Sequence, residues 1–257
     1  LNYILPADME RYRPQGQKKI ALCMQIRSRT EILRCVKYAK NMPAYADIFL
    51  ACKTDDEEQI KAAFADVACN RLKVCAVPNG AGSVSALFAG CRDVLERYDY
   101  ICCVQGPISF ENGYLFDRRS FDLAFENVLV SRRFADNVIG LFDSERQLGL
   151  LGVPHIIGGL DWCGLPNARG SKQQFERTNE LITKCGITPQ TACDKPPAVY
   201  GSTFWCRSAA LLPLLRLQDE DSAEEASADD DSVCRAAELA LSYIAQSQGF
   251  YSGLLFT

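Results

Sequence analysis

Up to about residue 105, short unbroken apolar runs alternate with segments whose apolar positions recur every three or four residues. The runs are 19–26 (KIALCMQI), 46–52 (ADIFLAC), 71–78 (RLKVCAVP) and 99–105 (DYICCVQ). A run without polar alternation is the pattern of a strand covered on both faces. Between the runs, Ile32, Leu33, Val36 and Ala39 mark one helical face following Thr30. Ile60, Ala63, Phe64 and Val67 mark a second, with Thr54 placed to cap it and acids in its first turn. A third helix is predicted over 85–98. Strand and helix in alternation, joined by short connections, predict an α/β fold: Rossmann-like, a mostly parallel sheet flanked by helices. Ligands of such sheets sit outside the carboxyl ends of the strands. The candidate ligand-facing segments are therefore 27–30, 53–55, 79–83 and 105–109.

Beyond residue 121 the pattern loosens. Residues 121–144 read as helical with a break, 147–154 as a strand, and 172–186 as an amphipathic helix with Gly186 as its C-cap. Residues 155–171 are glycine-rich and suit a binding loop. Residues 218–232 hold eight acids and no base, a solvated loop, and a helix over 232–249 closes the pattern. The polar, proline-punctuated residues 1–18 read as a linker from a longer parent protein, leaving 19–257 as a single domain.

Composition narrows the function classes. Apolar residues make up 48% and charged residues 23% of 257, an ordinary globular balance. The net charge of −4 offers no basic excess to displace counterions, which argues against a nucleic-acid surface. No apolar run approaches the ~20 residues a bilayer span needs. Thirteen cysteines are an odd count, and Cys23, Cys52, Cys75, Cys102 and Cys103 lie inside the apolar runs, so the thiols are expected to be reduced and packed as small hydrophobes. One histidine and no C-x-x-C pair leave no zinc set.

Four places can carry chemistry. Asn79, Gly80, Gly82 and Ser83 follow a strand end and precede a helix, so their backbone N–H groups can hold a phosphate or a sugar hydroxyl; a tight turn needing glycine is the alternative. Asp161 and Trp162 pair a carboxylate with an indole face, suited to a sugar, and Asp161 can take a proton from an attacking hydroxyl; a turn with an anchoring tryptophan reads equally well. His155 with Cys163 offers a thiol reading. In YGSTFWCRSAALLPLL (200–215), Gly201 and Ser202 allow close backbone approach, Phe204 and Trp205 form an apolar platform or a core plug, and Arg207 offers a planar fork for a carboxylate or phosphate. The D-x-D strings Asp219/Asp221 and Asp229/Asp231 fall in the acidic tract, where solvated charge explains them.

The segments VPNGAGSVSALFAGCRDVLERYDYICCVQGPIS, LGLLGVP, YGSTFWCRSAALLPLL and DDDSVCRAAELALSYIAQSQGF occur in the order found in the rhamnan synthesis protein F family, which the chain resembles over about 19–249. Gly201, Ser202, Phe204, Trp205 and Arg207 match that family's Gly-Ser-Met-Phe-Trp-x-Arg segment. The resemblance implies a GT-A-like glycosyltransferase domain in bacterial cell-surface polysaccharide synthesis, transferring a sugar such as rhamnose from a nucleotide sugar to a glycan acceptor. It implies a divalent cation, Mg²⁺ or Mn²⁺, as a companion of the donor, neighbouring domains as partners, and a cytoplasmic location at the inner membrane face. On this footing 19–109 is the nucleotide-binding half and 110–257 the acceptor half. Asn79, Gly80, Gly82 and Ser83 face the donor, Lys53 and Asp55 lie near the base, and Asp161 is the acceptor-side base. Trp162 and Glu238 join the substrate site, with Gly201, Ser202, Trp205 and Arg207 along the cleft floor. The sequence departs from the family where Asn-Arg-Gly-Arg-Asp becomes Asn79-Gly80-Ala81-Gly82-Ser83, where His-Thr-Lys becomes Gln105-Gly106-Pro107, and where Cys234 replaces a histidine. Each departure removes charge near a leaving diphosphate. A catalytically degenerate relative that binds glycan or a partner is thus the alternative.

Overall fold

The computed structural model describes residues 1–77, 88, 91–105, 116–153, 172–188, 203–217 and 231–257. Its eight strands are β1 (Asn2–Ile4), β2 (Ile20–Ile26), β3 (Asp47–Cys52), β4 (Arg71–Ala76), β5 (Tyr100–Gln105), β6 (Leu148–Gly152), β7 (Phe204–Arg207) and β8 (Tyr251–Phe256). They form one sheet in the order β1-β8-β6-β7-β5-β2-β3-β4. Every neighbouring pair is parallel except those of β7, which runs against both β5 and β6.

The apolar runs of β2, β3 and β5 are explained by cover on both faces, whereas the edge strand β4 is only partly covered. Leu22 and Met24 of β2 point to one core, which also takes Ile32, Cys35 and Tyr38 of α1 (Ile32–Ala39), and Ile60 and Phe64 of α2 (Glu57–Phe64). Ala21 and Cys23 point to a second core on the other face. That face holds α3 (Arg92–Leu95), α6 (Lys172–Lys184), α7 (Leu212–Leu215) and α8 (Asp231–Ser247), through residues such as Leu95, Ile182, Leu214 and Leu241. The helical stretch expected over 121–144 is two helices on the first face, α4 (Phe116–Leu129) and α5 (Arg132–Ser144). They part at Ser131, whose Oγ accepts the Phe134 N–H at 3.0 Å as an N-cap. Gly186 ends α6 as expected: its φ of 73° is open to glycine, and Ile187 donates back to the Ile182 carbonyl.

Residues 1–18 depart from the expected linker, because they are tied into the fold from Asn2 to Lys18. β1 lies in register with β8, Tyr3 opposite Leu255, and the Tyr3 and Tyr251 hydroxyls hydrogen-bond at 3.1 Å. The fully buried Asn137 of α5 then fastens the segment. Its Oδ1 accepts the Arg11 and Tyr12 N–H groups at 2.7 and 2.9 Å, and its Nδ2 donates to the Pro6 and Met9 carbonyls. The crossing is close enough that a Cβ on Gly140 would lie 2.8 Å from the Arg13 backbone.

Candidate functional site

The carboxyl edge of the parallel strands gathers the chain ends from which most candidate residues depart. Val77 follows β4, Gln105 closes β5, Val153 follows β6, and Thr203 precedes the reversed β7, all at this edge. Asn79, Gly80, Gly82, Ser83, Asp161, Trp162, Gly201 and Ser202, together with His155 and Cys163, lie outside the described residues.

The order of strands reverses between β2 and β5: the chain steps from β2 out through β3 to β4, then returns to the other side of β2. Open α/β sheets bind ligands at such reversals. Here Gln25 and Gln105 stand opposite one another in register, and the Gln105 Nε2 donates to the Gln25 Oε1 at 2.8 Å. The Gln105 N–H reaches the Thr203 Oγ1 at 3.3 Å, linking the reversed strand to the pair. Gln25 and Thr203 are buried, so the floor is a partnered, uncharged polar patch in an otherwise apolar sheet.

Cations rim this floor. Arg27 Nε donates to the Gln25 Oε1 at 3.3 Å. The next turn is set by Ser28, whose Oγ accepts the Thr30 N–H. Arg29 crosses to the end of β3, pairing with the buried Asp56 carboxylate and donating to the Asp55 carbonyl at 3.1 Å. The Asp56 hydrogen bond pushes the Arg29 pKa up, so the guanidinium stays charged. This pair joins two expected segments, 27–30 and 53–55, into one rim on which Lys53 and Asp55 are exposed. Gln25 and Asp56 were missed from the sequence. The available signal was a polar residue inside an apolar strand run and an acid opening a helix, both of which occur widely without function.

Two expected site residues belong elsewhere. Trp205 is fully buried and its indole N–H donates to the Val128 carbonyl of α4 at 3.0 Å, so no sugar can stack on it. Arg207 stands opposite Tyr100, at the amino edge of the sheet. Its Nη2 donates to the Phe142 carbonyl at 2.7 Å and its Nε to the Leu148 carbonyl at 3.3 Å, while the guanidinium lies 5.2 Å from the Tyr100 ring centroid. The arginine caps the carboxyl end of α5, where a cation meets the partial negative charge of unsatisfied carbonyls. Glu238 is half-buried on α8, which packs against α6.

No group of three or more His, Cys, Asp or Glu side chains able to hold a metal ion occurs among the described residues, so no step is assigned to Mg²⁺ or Mn²⁺. Ten of the cysteines among the described residues, Cys23 to Cys206, are free thiols. Burial raises the Cys23, Cys102 and Cys103 pKa values far above the ordinary 9.0, which leaves them packed rather than nucleophilic. Among the described residues no helix is long and apolar enough to cross a membrane.

A sequence model described as rhamnan synthesis protein F matches residues 1–250, nearly the whole chain. No curated protein matches it.

Proposed function

The chain belongs to the rhamnan synthesis protein F family, and from that membership we propose that it is a glycosyltransferase domain that takes a sugar from a nucleotide-sugar donor. The family ties the chain to rhamnan polysaccharide synthesis. The observation that carries the finer reading is the carboxyl edge at the β2–β5 reversal, where Arg27 meets the Gln25–Gln105 floor and Arg29 and Lys53 stand at the neighbouring tips of β2 and β3. A departing nucleoside diphosphate needs its growing charge met by cations placed beside it. In this reading the rim holds the diphosphate and the backbone N–H groups of 79–83 face the donor. Asp161 receives the proton of the attacking acceptor hydroxyl, while Trp162 stacks on the acceptor ring.

A panel of nucleotide sugars, an activated rhamnose among them, tests the reading with folded protein. Transfer or slow hydrolysis is expected with at least one donor. Asp161→Asn should lower turnover by about 10²-fold or more and leave donor binding in place. A nucleoside diphosphate at about 100 times its dissociation constant should add about 2.7 kcal/mol of stability. Absence of turnover with every donor overturns the catalytic reading.

The uncharged Gln25–Gln105 pair, with Gln105 and Pro107 standing where the family has histidine and lysine, favours a second reading: a glycan- or partner-binding domain without catalysis. It is distinguished by oligosaccharide binding in calorimetry with no affinity for nucleotide.

A further inference from the structure

A separate hollow of 510 Å³ opens at the amino edge of the sheet, where β2, β3 and β4 begin, on the far side of the molecule from the β2–β5 reversal. Lys18, Lys19, Arg71 and Arg97 line it, and its one lining carboxylate is Asp47. That carboxylate is already engaged, accepting from the Tyr98 hydroxyl and from Asn70 Nδ2 at 2.7 Å. Lys18 is paired with Asp143 at 3.1 Å. Lys19, Arg71 and Arg97 are exposed and form no ion pair among the described residues. In a chain of net charge −4, four lining cations against the single lining carboxylate of Asp47, which stands opposite Arg71, are a local inversion of the overall balance.

The walls are also fixed. The Lys19 N–H donates to the Asp99 carboxylate at 2.8 Å, the Asn70 N–H to the Ala46 carbonyl, and the Tyr98 ring meets Phe49 edge-on. The backbone carrying each cation is thus held before any ligand arrives, which lowers the ordering cost of binding. Two guanidinium forks and one ammonium match a compact group with several anionic oxygens better than a single carboxylate.

We propose that this amino-edge hollow is a second binding site, selective for a phosphoryl-bearing anion held by Lys19, Arg71 and Arg97. It goes beyond the donor site and does not depend on it. The anion can be a free phosphate ester or a phospholipid headgroup, and two arms separate these sources. In the first, inorganic pyrophosphate is titrated into the full chain while backbone amide NMR shifts are followed. Saturable shifts are expected at Lys19, Asn70, Arg71 and Arg97, and the double variant R71A/R97A should bind at least about tenfold more weakly, the equivalent of about 1.4 kcal/mol. In the second, co-sedimentation with phosphatidylcholine vesicles, with and without phosphatidylglycerol, is compared for the same two proteins. Binding only to the phosphatidylglycerol vesicles, lost in the double variant, assigns the headgroup as the source and supports the site. Both arginines are exposed surface groups, and an unchanged melting temperature confirms that the variant is folded. Shifts confined to 26–30 and 53–56 would overturn this inference while leaving the donor site standing. No binding in either arm, or binding undiminished in R71A/R97A, overturns it too.

Discussion

Trp205 and Arg207 are two positions apart on β7 and share a face of the sheet, yet they solve different problems. The tryptophan fills the first core and satisfies one carbonyl of α4; the arginine spans from the strand's end to the end of α5. Trp205→Phe keeps most of the apolar area but strands the Val128 carbonyl, so a loss of about 1–3 kcal/mol is expected in urea denaturation. Trp205→Ala should cost about 3–5 kcal/mol. For Arg207→Ala, removal of charge-assisted bonds to carbonyls predicts a loss of about 1.5–3 kcal/mol with nucleotide affinity unmoved. A fall in affinity without a fall in stability would return Arg207 to the ligand site. The sequence segment that carries both residues also suits a cleft floor, because an arginine beside aromatics serves an anion or a helix end equally well. Only the position of α5 decides between them, and that contact is made with residues 62 and 65 positions away.

Among the elements, β2 to β6 were legible in the sequence and β1, β7 and β8 were not. β2, β3 and β5 announce themselves as apolar runs because they are buried on both faces, while the half-exposed edge strand β4 shows a weaker run broken by Lys73. β1, β7 and β8 have three, four and six residues. β1 pairs with a strand some 250 positions away, so nothing local marks it. Beyond β1, the opening segment is fastened to α5 by Asn137 and, at Gln15, by Asp143. Asn137→Ala removes the partner of four backbone groups and should lower stability by about 2–4 kcal/mol, each bond contributing roughly 1 kcal/mol. Gly140→Ala is a sharper test of the crossing, since its methyl would meet backbone rather than a yielding side chain. Faster hydrogen exchange at the Arg11 and Tyr12 amides is expected, with the β2–β5 amides unchanged.

At the scale of the whole molecule, one edge of the sheet holds the reversal of strand order and the other holds the cationic hollow, with two apolar layers of buried thiols between. Burial pushes the Cys35 thiol from 9.0 up to about 12 and Cys52 up to about 11. A thiol that keeps its proton when folded but loses it when unfolded favours unfolding only above its unfolded value. Stability is therefore expected to be full below about pH 9 and to fall as pH rises through 9 towards 12, by up to about 1.4 kcal/mol per pH unit for each thiol. Urea denaturation at about pH 8 and about pH 10 checks the sign, and a flat profile would mean that the thiols are not sealed. That 27–30 and 53–55 meet at neighbouring strand tips, where Arg29 joins Asp55 and Asp56, follows from the α/β pattern alone. The assignment of roles does not, because charge and burial at each tip depend on which strands become neighbours.

The parallel pairing of β1 with β8 also governs how the molecule meets a mechanical load. Tension applied between Leu1 and Thr257 pulls the two strands in opposite directions along their length, so the ladder from Asn2–Leu254 to Ile4–Phe256 is sheared and its rungs must yield together instead of peeling one at a time.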